Sequence, residues 1–170
     1  MNLTAQERAW LHGEDGPATR RAMEIVVALA RIYGAERLVP VKSVQISGVS
    51  YRNIGAAGLD FLQQWRDEGA SVRVPTTLNP TAMDMQVWQA QGFDPSFAEK
   101  QRAVVEAFAQ MGVGWGAPIP TCTPYLIGNR PSPGDHVAWA ESSAVSFANS
   151  VLGARTNREG GPGAVAAALT

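Results

Sequence analysis

Cysteine is nearly missing: Cys122 is the only one in 170 residues. A single thiol cannot close an internal disulfide, so a reducing, cytoplasmic setting is expected. Histidine is scarce too, and His12 and His136 lie too far apart in sequence to show metal-ligand spacing. Charged residues make up 17% and sum to −1, which leaves no chain-wide basic field for nucleic acid or anionic lipid. No apolar run approaches the roughly 20 residues of a membrane span. The N-terminal MNLTAQERAWLHGEDG has no basic region followed by an apolar core, so it is no secretory signal.

What is present is a soluble-protein balance, 45% hydrophobic, in a length that suits one domain with a buried core. Glycine (17) and proline (11) gather between Met111 and Pro133 and again between Gly153 and Gly163. Such stretches let backbone approach a ligand closely. The chain ends in the apolar helical pattern GAVAAALT without a stop signal. A sequence cut within a larger protein is expected, and with it apolar surface that favours association.

Thr4 and Glu7 form a capping-box pattern for a short helix ended by Gly13. Pro17 opens a second helix with Ala22, Ile25, Val26, Leu29 and Ile32 or Tyr33 on one face, closed by Gly34. Arg37–Val41 and Ser43–Ser47 read as strands interrupted by Pro40. A helix over Ile54–Glu68 turns Leu59, Leu62 and Trp65 inward, and Val72–Val74 reads as a strand feeding the loop Pro75–Pro80. A helix from Pro95 to Gly112 sets Phe97, Gln101, Val104, Val105 and Phe108 inward. Val113–Trp115 suits a strand, Gly116–Asp135 a loop, and Ala138–Leu152 a mostly buried helix. Helices alternating with short strands predict an α/β layered domain.

Three hydroxyl-rich loops follow predicted strands: Ser47–Ser50, Thr76–Pro80 and Thr121–Tyr125. In open α/β sheets such loops gather at the carboxyl ends of strands, where ligands bind. Their amides suit an anionic small molecule, although plain turns and caps use the same residues. Cys122 sits between two threonines and just before Pro124, a stiff setting that suits an outward thiolate, although most lone cysteines are simply buried. One thiolate cannot hold an iron–sulfur cluster, so further ligands would have to come from other polypeptide. Glu141 and Ser142 follow Trp139; a carboxylate there needs a partner if buried, or serves the helix dipole. The segment 154–162 carries Arg155 and Arg158, whose forks suit carboxylate or phosphate or simply a surface pair. The tryptophans and the Met83–Met85 pair suit packing, and Glu14–Asp15 a solvated turn.

Taken in order, LTAQERAWLHGEDGPATRRAMEIVVALA, SGVSYRNIGAAGLDFL, PTTLNPTAMD, TCTPYLIGNRPSPGDHVAWAESSAV and NSVLGARTNREGGP resemble aconitase X, a divergent branch of the aconitase superfamily. The resemblance spans Leu3 to Pro162, and its last three stretches are specific. It implies an aconitase-like layered α/β domain with short, largely parallel strands flanked by helices. It implies that residues 1–170 are the N-terminal part of a longer catalytic domain, with a swivel-like small domain or subunit as a partner. It implies a dehydratase acting on a small hydroxy acid, with an iron–sulfur cluster or mononuclear iron as Lewis acid. Cys122 matches the family's metal ligand. Gly48, Val49, Ser50, Asn79, Pro80, Glu141 and Ser142 match its substrate positions, with Glu141 and Ser142 assisting the chemistry. The proton-abstracting base is expected beyond residue 170. Alanine- and arginine-rich composition favours the bacterial substrate, cis-3-hydroxy-L-proline, over the archaeal one, mevalonate 5-phosphate. A truncated relative serving as a non-catalytic binding module is the alternative from another class.

Overall fold

The computed structural model describes residues 1–114 and 122–170. The chain runs α1 (Ala5–His12), α2 (Gly16–Ile32), β1 (Val44–Ser47), α3 (Tyr51–Asp67), β2 (Thr76–Asn79), α4 (Pro95–Gln110), β3 (Ala138–Trp139), α5 (Ser142–Ser150) and α6 (Gly161–Leu169). A single 3-10 turn, Pro124–Ile127, precedes β3. The strands form one parallel sheet in the order β2-β1-β3. A central parallel strand is covered on both faces, and β1 is fully buried over Val44, Gln45 and Ile46. The expected α/β class with short parallel strands and flanking helices is what the chain adopts.

Local signals set the helix starts. Thr4 accepts from the Glu7 amide while the Glu7 carboxylate takes the Thr4 amide, the reciprocal cap expected from the sequence. Asp94 caps α4 through the amides of Ser96 and Phe97, with Pro95 in the first turn. The apolar α6 lies against β1 and β3 and packs along α2, burying Ala164, Val165, Ala166, Ala168 and Leu169. Helices α3 and α4 pack as a second pair. Trp65 of α3 is fully buried, and its indole N–H donates to the Ala18 carbonyl.

Several expected elements shift. Residues 37–41 form no strand; Arg37 makes one isolated bridge with Asn2, and Pro40 has no amide to extend a ladder. The strand after α3 is Thr76–Asn79 rather than Val72–Val74, because these residues, not the valines, pair with Val44–Ser47. Ala138–Leu152 is not one helix: Ala138 and Trp139 pair with Val44 and Gln45, and α5 starts only at Ser142. Val113 and Gly114 lie outside any strand, and Trp115 lies outside the described residues. Ile32 or Tyr33 was expected inward, and both are exposed, at 77% and 73%; Ala22 is buried and Ile25 and Val26 pack against the core as expected, with Ala18, Met23 and Val27 completing the inner face of α2. Asp15 does not stand alone in its turn, since it pairs with the Arg73 guanidinium. The Met83–Met85 pair and most tryptophans pack as expected: Met83 and Trp88 are buried with Ala98, Met85 packs against them, Trp65 is fully buried, and Trp139 is buried with Ala144 and Ala148. No described helix is long and apolar enough to cross a membrane.

Candidate functional site

The three strands run the same way, so their carboxyl ends deliver Ser47, Asn79 and Glu141 to one edge of the sheet. Ser47 and Asn79 face each other across the ladder. Glu141 follows β3 by two residues and is the N-cap of α5. Its backbone amide donates to Gln45 Oε1 (2.8 Å), so the buried Gln45 of β1 anchors the turn out of β3.

Glu141 Oε2 accepts from Ser47 Oγ (2.8 Å) and from Asn79 Nδ2 (3.2 Å). The same Asn79 nitrogen donates to Cys122 Sγ (3.0 Å). One amide thus links the thiol to the carboxylate. Both neighbours of Nδ2 are acceptors, so the nitrogen must face them and Oδ1 must face away. In this structure the Asn79 N–H groups bond the thiol and the carboxylate, and the atom left over is an acceptor.

Cys122 is exposed. The turn that follows it is anchored, with Pro124 buried, the Tyr125 ring stacked on Phe147 of α5 (3.9 Å, 17°), and Arg130 Nε donating to the Tyr125 carbonyl (2.8 Å). Thr121, on the other flank of the cysteine, lies outside the described residues.

The remaining expected residues are distributed around this cluster. Gly48 is exposed with φ +74°, a backbone state that only glycine adopts without strain, and its carbonyl accepts from Asn53 Nδ2 (3.2 Å). Val49 points into the core and Ser50 is buried as the N-cap of α3, so Val49 meets a ligand only through its backbone. The Pro80 carbonyl accepts from Gln101 Nε2 (2.9 Å), and Gln101 Oε1 accepts from the Tyr51 amide (3.1 Å). The fully buried Gln101 therefore ties the Gly48–Ser50 loop to the Asn79–Pro80 loop. Ser142 is exposed in the first turn of α5 and makes no hydrogen bond to the cluster among the described residues.

Three contributors were not picked out as site residues: Ser47, Gln45 and Gln101. Each carried a signal. Ser47 begins the SGVS loop, Gln45 interrupts an apolar strand, and Gln101 is a polar residue on the inner face of α4. The buried Gln45 and Gln101 and the half-buried Ser47 need partners, and here the partners are the site loops.

Gly161, at the start of α6, touches the same loop. A Cβ there would stand 2.6 Å from Val49 Cγ1 and 3.1 Å from the Ser47 carbonyl. Gly161→Ala is expected to cost about 1–3 kcal/mol in thermal unfolding, because Val49 is held in the core. Gly160→Ala, with nothing within 4 Å of the added methyl, is the near-neutral control.

A groove away from this cluster is lined by Val26, Leu29, Tyr33, His136, Arg155 and Glu159 among others, and includes none of Cys122, Asn79 and Glu141. The thiol–amide–carboxylate cluster, which brings together groups able to bind a metal and move a proton, is the stronger candidate site. Arg155 therefore borders the groove, while Arg158 bridges Trp139 through backbone. Burial pushes the Glu159 carboxyl up from its ordinary 4.5. The folded chain then holds this proton more tightly than the unfolded chain, and stability falls as pH rises through that window. Glu159→Gln is expected to raise the melting temperature near neutral pH and to leave it unchanged at about pH 4, where both side chains are neutral.

Toward a metal, the described residues offer one exposed cysteine. Among them no group of three or more His, Cys, Asp and Glu side chains could hold an ion. A single thiolate fits one coordination position of a cysteine-ligated iron centre, and not the whole of one.

Comparison with known proteins agrees with the motif order. The phosphomevalonate dehydratase large subunit of Methanothermobacter thermautotrophicus is 57% identical over 167 residues, covering 98% of this chain and 41% of that protein. The same subunit of Methanocaldococcus jannaschii is 54% identical over 169 residues, covering 99% and 41%. The cis-3-hydroxy-L-proline dehydratase of Pseudomonas aeruginosa is 45% identical over 156 residues, covering 92% and 26%. The crystal structure of Thermococcus kodakaraensis aconitase X (holo-form) matches with a TM-score of 0.88 at 54% identity, over 99% of this chain and 41% of that one. This chain thus spans about two fifths of the length of its archaeal relatives. The model of the aconitase X first domain matches residues 1–170, and the chain belongs to the aconitase X family.

Proposed function

We propose that this chain supplies the N-terminal portion of the catalytic large subunit of a dehydratase acting on mevalonate 5-phosphate. The observation that carries the dehydratase assignment is the Asn79 amide, which bonds Cys122 Sγ and Glu141 Oε2 at once. It joins a candidate metal ligand to a candidate proton-handling group in one cluster. The choice of substrate rests on similarity, which is higher to the phosphomevalonate dehydratases than to the hydroxyproline enzymes. This reverses the order expected from composition, which reports codon and lineage habits rather than pocket chemistry.

In dehydration the substrate's carbon–oxygen bond breaks, the hydroxyl takes up a proton and leaves as water, and the adjacent carbon gives its proton to a base. Cys122 would hold one position of an iron–sulfur or mononuclear iron centre, the other ligands coming from the rest of the polypeptide. When bound, such a centre supplies a Lewis acid to the leaving hydroxyl. Glu141 orients that hydroxyl or assists its protonation. Asn79 Oδ1 accepts from a substrate hydroxyl, and the amides about Gly48 and Ser50 receive an anionic group. Ser142, exposed beside Glu141, is a further substrate contact. The proton-abstracting base and the swivel-like partner come from polypeptide outside this chain.

Turnover by the complete assembly decides the substrate. Release of water from mevalonate 5-phosphate, with cis-3-hydroxy-L-proline untouched, is expected; turnover of hydroxyproline alone refutes the choice. The non-catalytic alternative predicts neither activity nor iron in that assembly.

A further inference from the structure

We propose that Ser47 is a positioning residue that commits one oxygen of Glu141, Oε2, and so reserves the other, Oε1, for the substrate. The inference rests on the assignment of Glu141 to the dehydratase site. A carboxylate oxygen has two in-plane lone pairs. Both on Oε2 are taken, by Ser47 Oγ at 2.8 Å and Asn79 Nδ2 at 3.2 Å. Oε1 has no hydrogen-bond partner among the described residues. The backbone of Glu141 is held separately, through its amide on Gln45 Oε1. Two donors and one acceptor, drawn from β1 and β2, therefore hold the residue at both ends, and among the described residues Oε1 is the oxygen left to act.

Ser47 is the distinctive member of this clamp. Asn79 also touches Cys122, so its loss disturbs two groups at once. Ser47 touches only the carboxylate in this cluster, and parallel pairing with Asn79 holds its backbone in place. Without the hydroxyl, the longer bond from Asn79 alone is too little to hold Oε2, so the carboxylate rotates away from it and spends less time in one geometry. Such a defect falls on the chemical step rather than on substrate binding.

The test uses the complete dehydratase assembly with mevalonate 5-phosphate. Ser47→Val and Ser47→Thr are near-isosteric and differ in the hydroxyl, so the pair separates loss of the hydrogen bond from loss of fold. Ser47→Val is expected to lower kcat by about 10–100-fold with KM within about threefold, and Ser47→Thr to recover most of the rate. A crystal structure of Ser47→Val is expected to show Glu141 Oε2 out of reach of Asn79 Nδ2. The proposal is overturned if Ser47→Val keeps its turnover, if its loss lies in KM, if threonine fails to rescue, or if the Asn79–Glu141 contact stays at 3.2 Å. Glu141→Ala separates the two levels. Full activity there removes Glu141 from the reaction, whereas an inactive Glu141→Ala beside a normal Ser47→Val removes only the role of Ser47.

Discussion

On the proposed function, Cys122→Ala introduced into the complete assembly is expected to cost the proposed iron centre a ligand and to lower turnover by about a thousandfold, equivalent to about 4 kcal/mol of transition-state stabilisation. The thiol is exposed, so it is reachable by a metal without unfolding, and the stacked Tyr125–Phe147 pair anchors the turn that carries it. Alanine removes one ligand and leaves the backbone of that turn unchanged. Iron analysis and the visible absorption spectrum read the metal, and the dehydration rate reads the chemistry. An alanine variant that keeps both the iron and the rate would remove Cys122 from the metal site. The fold should not notice the change: the side chain packs against no core cluster, so melting of this chain should move little.

The largest expected effect on stability is that of Trp139→Ala, at about 3–5 kcal/mol. Trp139 is completely buried in β3 and centres the cluster of Val137, Ala144, Ala148 and Ala154. Its indole N–H donates to Ser43 Oγ (3.2 Å), and Ser43 is itself buried, so truncation leaves both a cavity and an unpaired hydroxyl. For a domain of this size the melting temperature should fall by roughly 10 °C. Function should suffer with it, because Glu141 stands two residues further on and the Trp139 carbonyl receives the Glu159 amide (3.1 Å). Trp139→Phe keeps most of the volume and should lose far less. An alanine variant that melts within a degree or two of the parent would show that the cluster around Trp139 can collapse around the gap.

Legibility differed by element for reasons visible in particular residues. Helix starts could be read because their signals are local: Thr4 and Glu7 bond across one turn, and Pro17 and Pro95 sit in the first turns of α2 and α4. Strands were harder. Val72 and Val74 alternate like a strand, yet the paired residues are Thr76–Asn79, whose buried threonines hide their hydroxyls on the Val74 and Val44 carbonyls. Ala138 and Trp139 sit in an apolar stretch of helical spacing, and a two-residue strand is too short to reveal a period of 2. Ile32 and Tyr33 continue the periodicity of α2, but that helix ends where the inner surface ends.

From the linear sequence alone came the α/β class, the capped helices, the family motifs and the isolated thiol before Pro124. These depend on neighbours within a few residues or on the order of motifs, both of which a chain displays directly. The meeting of Ser47, Asn79, Cys122 and Glu141 depended on folding, as did the commitment of the Asn79 amide and the burial of Val49. Those contacts join residues 43 to 94 positions apart, and the parallel register and the packing that create them exist only once the sheet has formed.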